Sequence, residues 1–295
     1  MKKFYHGVYL IVLSAFGFGV LPIFALFAYR NGLNITTLLF LRFLGAAVLF
    51  FAYLFVTGKK ATVTRREGAA LFVMGGVFYA MQSTLYFTSL KYISPSLTAL
   101  LLYTYPIIVP LLAFAFGKER LTGRHLTAVF LSFAGLVFIL GGPAGRINFV
   151  GVAMAAGAAL VYSCYIVLGN RLIQRIPSVT ASAFIALFAA CSFLAVSLGG
   201  HSLKLNIPPA GWWPVVGIIL CSTVLAMLTF FKGMEHTGPT SASIISTLEP
   251  LVTIFLSWLF FQEKLSAWQI LGTGAVLAGA VLVVLARKEP LAPNL

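Results

Sequence analysis

Apolar runs of about twenty residues, separated by short breaks of Gly, Pro and charged residues, follow one another through almost the whole chain. Their spacing predicts ten helices, near 7–28, 35–57, 68–89, 95–116 and 123–141, then 149–169, 178–198, 211–234, 239–261 and 266–286. At 1.5 Å per residue each run spans about the 30 Å of a bilayer's hydrocarbon layer. The breaks leave no room for an extramembrane domain. The expected fold class is an all-α membrane protein of ten transmembrane helices.

Composition strengthens this reading. Of 295 residues, 60% are hydrophobic and only 9% charged, and the mean hydropathy is +1.01. A soluble domain carries roughly 25% charged residues. In a soluble protein the net charge of +14 would suggest nucleic acid, but here the basic residues are scattered between apolar runs and report topology instead. With the amino terminus inside, the cytoplasmic segments hold Lys2, Lys3, Lys59, Lys60, Arg65, Arg66, Lys118, Arg120, Arg124, Arg171, Arg175, Lys232, Arg287 and Lys288. The opposite side holds Arg30, Lys91, Arg146, Lys204 and Lys264, and Arg42 falls within a span. This bias predicts cytoplasmic termini. Cys164, Cys191 and Cys221 lie in apolar stretches without CxxC spacing and read as small core residues.

A repeat runs through the chain at a constant offset of 144 residues, pairing Gly7 with Gly151, Pro95 with Pro239 and Pro106 with Pro250. Glu119, Leu121 and Gly135 find Glu263, Leu265 and Gly279 at the same offset. The expected organisation is therefore two five-helix repeats, 1–143 and 144–295. An odd number of spans makes the second copy enter the membrane from the opposite side, the inverted-repeat arrangement of secondary transporters.

The run Leu102-Tyr103-Thr104-Tyr105-Pro106 with Gly117-Lys118-Glu119-Arg120-Leu121-Thr122, and its partner Leu248-Glu249-Pro250 with Gln262-Glu263-Lys264-Leu265-Ser266, resemble the paired signatures of the EamA family of the drug/metabolite transporter superfamily. Arg42-Phe43 and the Gly-rich last helix of each half fit the same pattern. The resemblance spans the whole chain and implies a carrier of the bacterial inner membrane, whose relatives mostly export amino acids and related metabolites. Related small multidrug carriers use an acidic residue in their first helix. This first span has none, so their coupling site does not transfer.

Pro106 and Pro250 each lie 11 residues after the proline that opens their span, about 17 Å along a helix and near the bilayer midplane. Each removes an N–H and frees the carbonyl four residues earlier, at Leu102 and Ser246. A plain kink would explain one such break; two at matched positions favour a central binding site between the fourth and ninth spans. Glu249 is the one carboxylate placed deep in the membrane, at a cost of about 2.5 kcal/mol or more. It is expected to bind a substrate ammonium or couple protons to transport, with a structural carboxyl as the alternative. Its repeat partner is the neutral Tyr105.

Arg42 sits seven residues into its span. Snorkelling to the outer surface is the cheaper solution for so long a side chain, and holding a substrate carboxylate or serving the coupling is the alternative. Tyr79, Gln82, Ser83 and Tyr86 fall at i, i+3, i+4 and i+7, giving the third span a polar, aromatic face. With Tyr103, Tyr105 and Ser246 opposite, this face predicts a pocket for a small amphiphilic solute. The Glu119 and Glu263 turns read as caps and local ion pairs.

The expected function is export of a small metabolite, an amino acid or related solute, by alternating access, with export of drugs or other xenobiotics as the alternative. An intramembrane enzyme would need GxSxG with a histidine, or HExxH, and neither occurs. A receptor would not need two inverted copies with matched breaks. No enzyme activity, metal, cofactor or nucleic-acid partner is expected. The partners are the lipid bilayer, a small-molecule substrate and protons as candidate coupling ion, with the chain a monomer or homodimer.

Overall fold

The structure is a computed structural model that describes residues 2–59, 61–115, 123–141, 148–173, 176–200, 202–237, 242 and 245–286. Lys60, Gly117–Thr122, Arg146, Arg175, Pro239, Arg287 and Lys288, named above, lie outside these. Every element among the described residues is a helix. In chain order they are α1 (Lys2–Gly19), α2 (Leu21–Arg30), α3 (Ile35–Val56), α4 (Arg65–Phe72), a π-helical stretch Val73–Tyr79, α5 (Ala80–Ser89), α6 (Pro95–Leu102), α7 (Tyr105–Ala115) and α8 (Gly123–Gly141). Then come α9 (Phe149–Ile173), α10 (Ser178–Gly199), α11 (Pro209–Ile219), a second π-helical stretch Leu220–Leu225, α12 (Ala226–Thr237), α13 (Leu248–Phe261) and α14 (Ala267–Ala286).

Six of the described rods are long and apolar enough to cross a membrane: Lys3–Arg30, Ile35–Val56, Arg65–Ser89, Phe149–Leu168, Ser178–Gly199 and Pro209–Met234. Pro95–Val109, Val129–Phe138 and Leu248–Phe261 are shorter apolar helices. The rods start where local chemistry satisfies their first N–H groups. Asn34 accepts from the Thr37 N–H and Ser94 from the Leu97 N–H, Thr64 and Glu67 form a reciprocal capping box, and Pro22, Pro95 and Pro209 open their helices.

Three breaks escape the apolar pattern. The first rod is interrupted at Val20, ahead of Pro22, and the third and eighth each contain a π-helical stretch. A π turn admits one extra residue without interrupting the apolar run, so hydropathy does not register it.

The packing follows the 144-residue offset. Helices α3 and α10, equivalent in the two halves, pack on each other, as do α8 and α14. Helix α1 packs on α12, and its equivalent α9 packs on α5. The closest approaches repeat residue by residue. A Cβ on Gly7 would stand 2.7 Å from His236 and Thr237, and one on Gly151 would stand 2.8 Å from Tyr92 and Ile93. His236 and Thr237 are Tyr92 and Ile93 plus 144. The first helix of each half is thus docked on the third rod of the other. The largest apolar cluster lies along α3 and α10, where Ala183, Ala186 and Ala190 let the helices close and Phe43 stacks on Phe193 with ring centres 5.7 Å apart.

At the end of the bundle where α3 begins, the halves are laced together by hydrogen bonds. Asn34 Nδ2 donates to the Ser202 carbonyl at 2.6 Å and the Lys204 N–H to Thr37 Oγ1 at 3.0 Å, while within the first half Tyr29 Oη donates to the Phe87 carbonyl at 2.9 Å. Glu263 belongs to this lacing rather than to a local ion pair. Its Oε2 accepts from Ser96 Oγ at 2.8 Å and from Ser257 Oγ, tying the end of α13 to the start of α6. Cys191 is exposed and Cys164 and Cys221 are half-buried, so the cysteines are not core residues. An apolar side chain gains nothing from facing away from lipid, so hydrophobicity alone does not bury it.

Gly75 and Gly68 separate packing from helix propensity. A Cβ on Gly75 would collide with the backbone of Ile185, whereas one on Gly68 meets nothing within 4 Å. Gly75→Ala is expected to destabilise the protein by about 1–3 kcal/mol through overpacking. Gly68→Ala should stabilise by about 0.5–1 kcal/mol. Thermal unfolding in detergent measures both, and equal shifts would refute the close contact.

Candidate functional site

Two broken helices organise the centre of the bundle. Helix α6 ends at Leu102 and α7 starts at Tyr105, so the break falls on Tyr103 and Thr104. In the other half the turn falls on Thr247, just before α13, at the position equivalent to Tyr103. Pro250 removes the N–H that Ser246 would have received. The freed Ser246 carbonyl instead accepts the Tyr103 hydroxyl, from the break in the opposite half. Thr253 Oγ1 donates at 2.8 Å to the Gly19 carbonyl, where the first rod is interrupted, so three helix breaks meet here.

Between them lies a cavity of about 400 Å³. That volume suits a small solute. Tyr79, Gln82, Ser83, Tyr86, Tyr103, Tyr105, Ser246, Glu249 and Pro250, each named from the sequence, line it together with Arg42. Pro106 is not among the lining residues; it sits in the first turn of α7, just beyond the break. The cavity extends to Ser178 and Ser182 in the first turns of α10, away from the laced end of the bundle.

Tyr162 and Tyr165 were not expected from the sequence. Each lies among apolar neighbours, and their one legible signal was a spacing of one helical turn. They complete a chain of five phenol rings: Tyr79 to Tyr165 at 5.7 Å, Tyr165 stacked on Tyr162 at 5.7 Å, Tyr162 edge-on to Tyr105 at 4.8 Å, and Tyr105 to Tyr103 at 5.7 Å. Arg42 stands beside Tyr79 at one end of this chain, and Glu249 beside Tyr103 at the other. Ser246 Oγ is buried with no hydrogen-bond partner.

Arg42 does not snorkel. It is 4% exposed, its Nε donates to Thr223 Oγ1 at 3.1 Å, and its guanidinium lies 4.9 Å from the Phe43 ring centre and 5.5 Å from that of Phe87. Held between packed helices, the group meets two aromatic faces and the Thr223 hydroxyl where a snorkelling side chain would have met water.

The Tyr103 hydroxyl holds a single proton, and here it is committed to the Ser246 carbonyl. Glu249 lies beside the same hydroxyl, and a protonated carboxyl there could donate to it without taking its proton. Once ionised, the carboxylate can only accept, so it competes with the Ser246 carbonyl for the Tyr103 proton.

A helical bundle with a solute-sized, aromatic and charged cavity between broken helices is the arrangement of a membrane transporter. The chain belongs to the EamA-like transporter family, whose model matches residues 6–141 and again residues 149–285. That family is part of the drug/metabolite transporter superfamily. Among its relatives is the uncharacterized transporter YyaM of Bacillus subtilis (strain 168), 25% identical over 81% of this chain and 80% of its own length. Another is the uncharacterized transporter YcbK of the same organism, 24% identical over 92% and 90%. Protein PecM of Dickeya dadantii (strain 3937) is 26% identical over 72% of each chain. A solved crystal structure superposes with a TM-score of 0.68 at 20% identity, covering 96% of this chain and 98% of that one, and so shares the fold.

Replacing Tyr103 tests the cross-break bond. Tyr103→Phe keeps the ring but leaves the Ser246 carbonyl without its donor, at an expected cost of about 1–3 kcal/mol. Thermal unfolding in detergent should register that loss, and an unchanged midpoint would mean that the carbonyl is satisfied otherwise.

Proposed function

We propose that this protein is a secondary carrier that exports a small amphiphilic solute, an amino acid or a relative of one, from the bacterial cytoplasm by alternating access. The observation that carries this reading is the central cavity, where tyrosines and polar groups from both halves surround a space of about 400 Å³ between two helices broken at equivalent positions. In this reading ten spans form two inverted repeats, 1–143 and 144–295, in the inner membrane with both termini cytoplasmic. The paired family match supports the division, and the distribution of basic residues supports the orientation.

The laced end then faces outward, and the cavity extends toward the cytoplasm. The form described is the one that receives solute from inside. Export requires the hydrogen bonds between the halves at Asn34, Thr37 and Glu263 to release while the opposite end closes. Rocking of two similar halves around a fixed site achieves this.

Glu249 is assigned to coupling. A proton arriving there frees Tyr103 to hold the Ser246 carbonyl, and its departure draws the Tyr103 proton toward the carboxylate, loosening the contact between the two breaks. Proton movement thus biases how the two halves meet.

Three measurements test these assignments. In proteoliposomes containing only this chain, an amino-acid panel should include at least one solute whose flux exceeds that of empty vesicles, and flux of none would refute the carrier reading. Glu249→Gln preserves shape but cannot titrate, and should bind solute while losing the pH dependence of flux; an unchanged pH profile would remove Glu249 from the coupling. For orientation, Lys60→Cys and Lys118→Cys should resist an impermeant thiol reagent in intact cells while Lys204→Cys reacts, and the reverse pattern would invert the topology.

A further inference from the structure

Arg42 is the one buried basic side chain among the described residues, and the bonds it makes leave most of its charge unanswered. A guanidinium is protonated at any physiological pH and presents five N–H groups in a planar fork. Nε is used on Thr223, and the Tyr79 hydroxyl meets the group as well. No carboxylate lies against it among the described residues, so its surroundings are two phenyl faces and two hydroxyls. Hydroxyls and ring faces solvate a cation only partly, and a buried charge without a counter-ion is costly. The group lines the cavity, so the open space beside it is where a counter-ion would sit.

Glu249 lines the same cavity but does not serve as that counter-ion. It is engaged at Tyr103, on the far side of the tyrosine chain, and Tyr86 lies within the electrostatic reach of both charges. The two opposite charges are therefore held apart across a space with aromatic walls. A solute completes this arrangement if it brings an anionic group to Arg42. A carboxylate matches the guanidinium fork with two parallel N–H···O bonds, and it replaces the missing charge without leaving a new one unpaired.

We infer that Arg42 is the carboxylate-binding residue of the cavity, so that the transported solute carries a carboxylate directed at the Arg42 guanidinium and its decarboxylated analogue is rejected. This rests on the reading of the cavity as the solute site. The rejection has a physical basis: an amine placed there would add a cation beside an uncompensated one and leave the fork unpaired.

The experiment compares matched probes on the full-length protein in detergent: L-phenylalanine with phenethylamine and L-leucine with isoamylamine, together with 3-phenylpropionate, with binding followed by calorimetry. The amino acids are expected to bind at least tenfold more tightly than the corresponding amines, with 3-phenylpropionate retaining measurable binding. Arg42→Lys keeps the charge but loses the fork, and should weaken the carboxylate probes at least tenfold while leaving the amines unchanged. The wild-type comparison stands even if this variant fails to fold. Equal or tighter binding of the amines, or an Arg42→Lys protein that folds and binds all probes as before, would overturn the assignment while leaving the solute site in place. If no probe of any class binds, the solute-site reading fails, and this inference with it.

Discussion

In a bilayer no water is available to satisfy an open backbone group, and this constraint decides how the centre of the molecule is built. Pro250 frees the Ser246 carbonyl, and the group that answers it is the Tyr103 hydroxyl, itself at the break of the other half. Neither interruption is self-sufficient. The polar backbone at the centre of the bundle is retained because each break lies beside the other, and Gly19, at the third interruption, is likewise held by Thr253. The cavity is what remains between helices that cannot close fully around their own loose ends.

The charged groups obey the same constraint with a different outcome. Glu263, near the rim, is met by two serine hydroxyls and fastens one end of the bundle. Arg42 and Glu249, both deep, are not paired with each other, and aromatic rings and hydroxyls partly solvate them. A packed apolar pair would serve stability better than two separated ions. In the proposed reading, their separation leaves room for a solute between them.

Much of this was legible before any coordinates. The 144-residue offset carried the register of the halves, and the lining residues on the third, fourth and ninth spans were readable because polar residues at helical spacing are conspicuous against an apolar background. Tyr162 and Tyr165 were hidden because a tyrosine among alanines and valines looks like ordinary packing. The π-helical stretches at Val73–Tyr79 and Leu220–Leu225 were hidden for another reason: they change the hydrogen-bond register and not the hydropathy. Arg42 was misjudged because snorkelling depends on whether the way out is open, and that is a property of neighbouring helices rather than of the span itself.

The docking of each first helix on the other half's third rod also has a consequence for biogenesis. The face of α1 that bears Gly7, Ser14 and Gly17 meets His236, Thr237, Cys221 and Ala226, with Ser14 Oγ bonded to the Ala226 carbonyl at 2.8 Å. None of these partners exists until more than two hundred further residues have been made. At roughly 5–20 residues per second, the first helix waits on the order of tens of seconds in the membrane with a glycine-lined groove open to lipid. Its counterpart α9 enters to find α5 already there. The two halves are alike in the finished molecule but unlike in their histories, and the burden of insertion without a partner falls on the amino-terminal one.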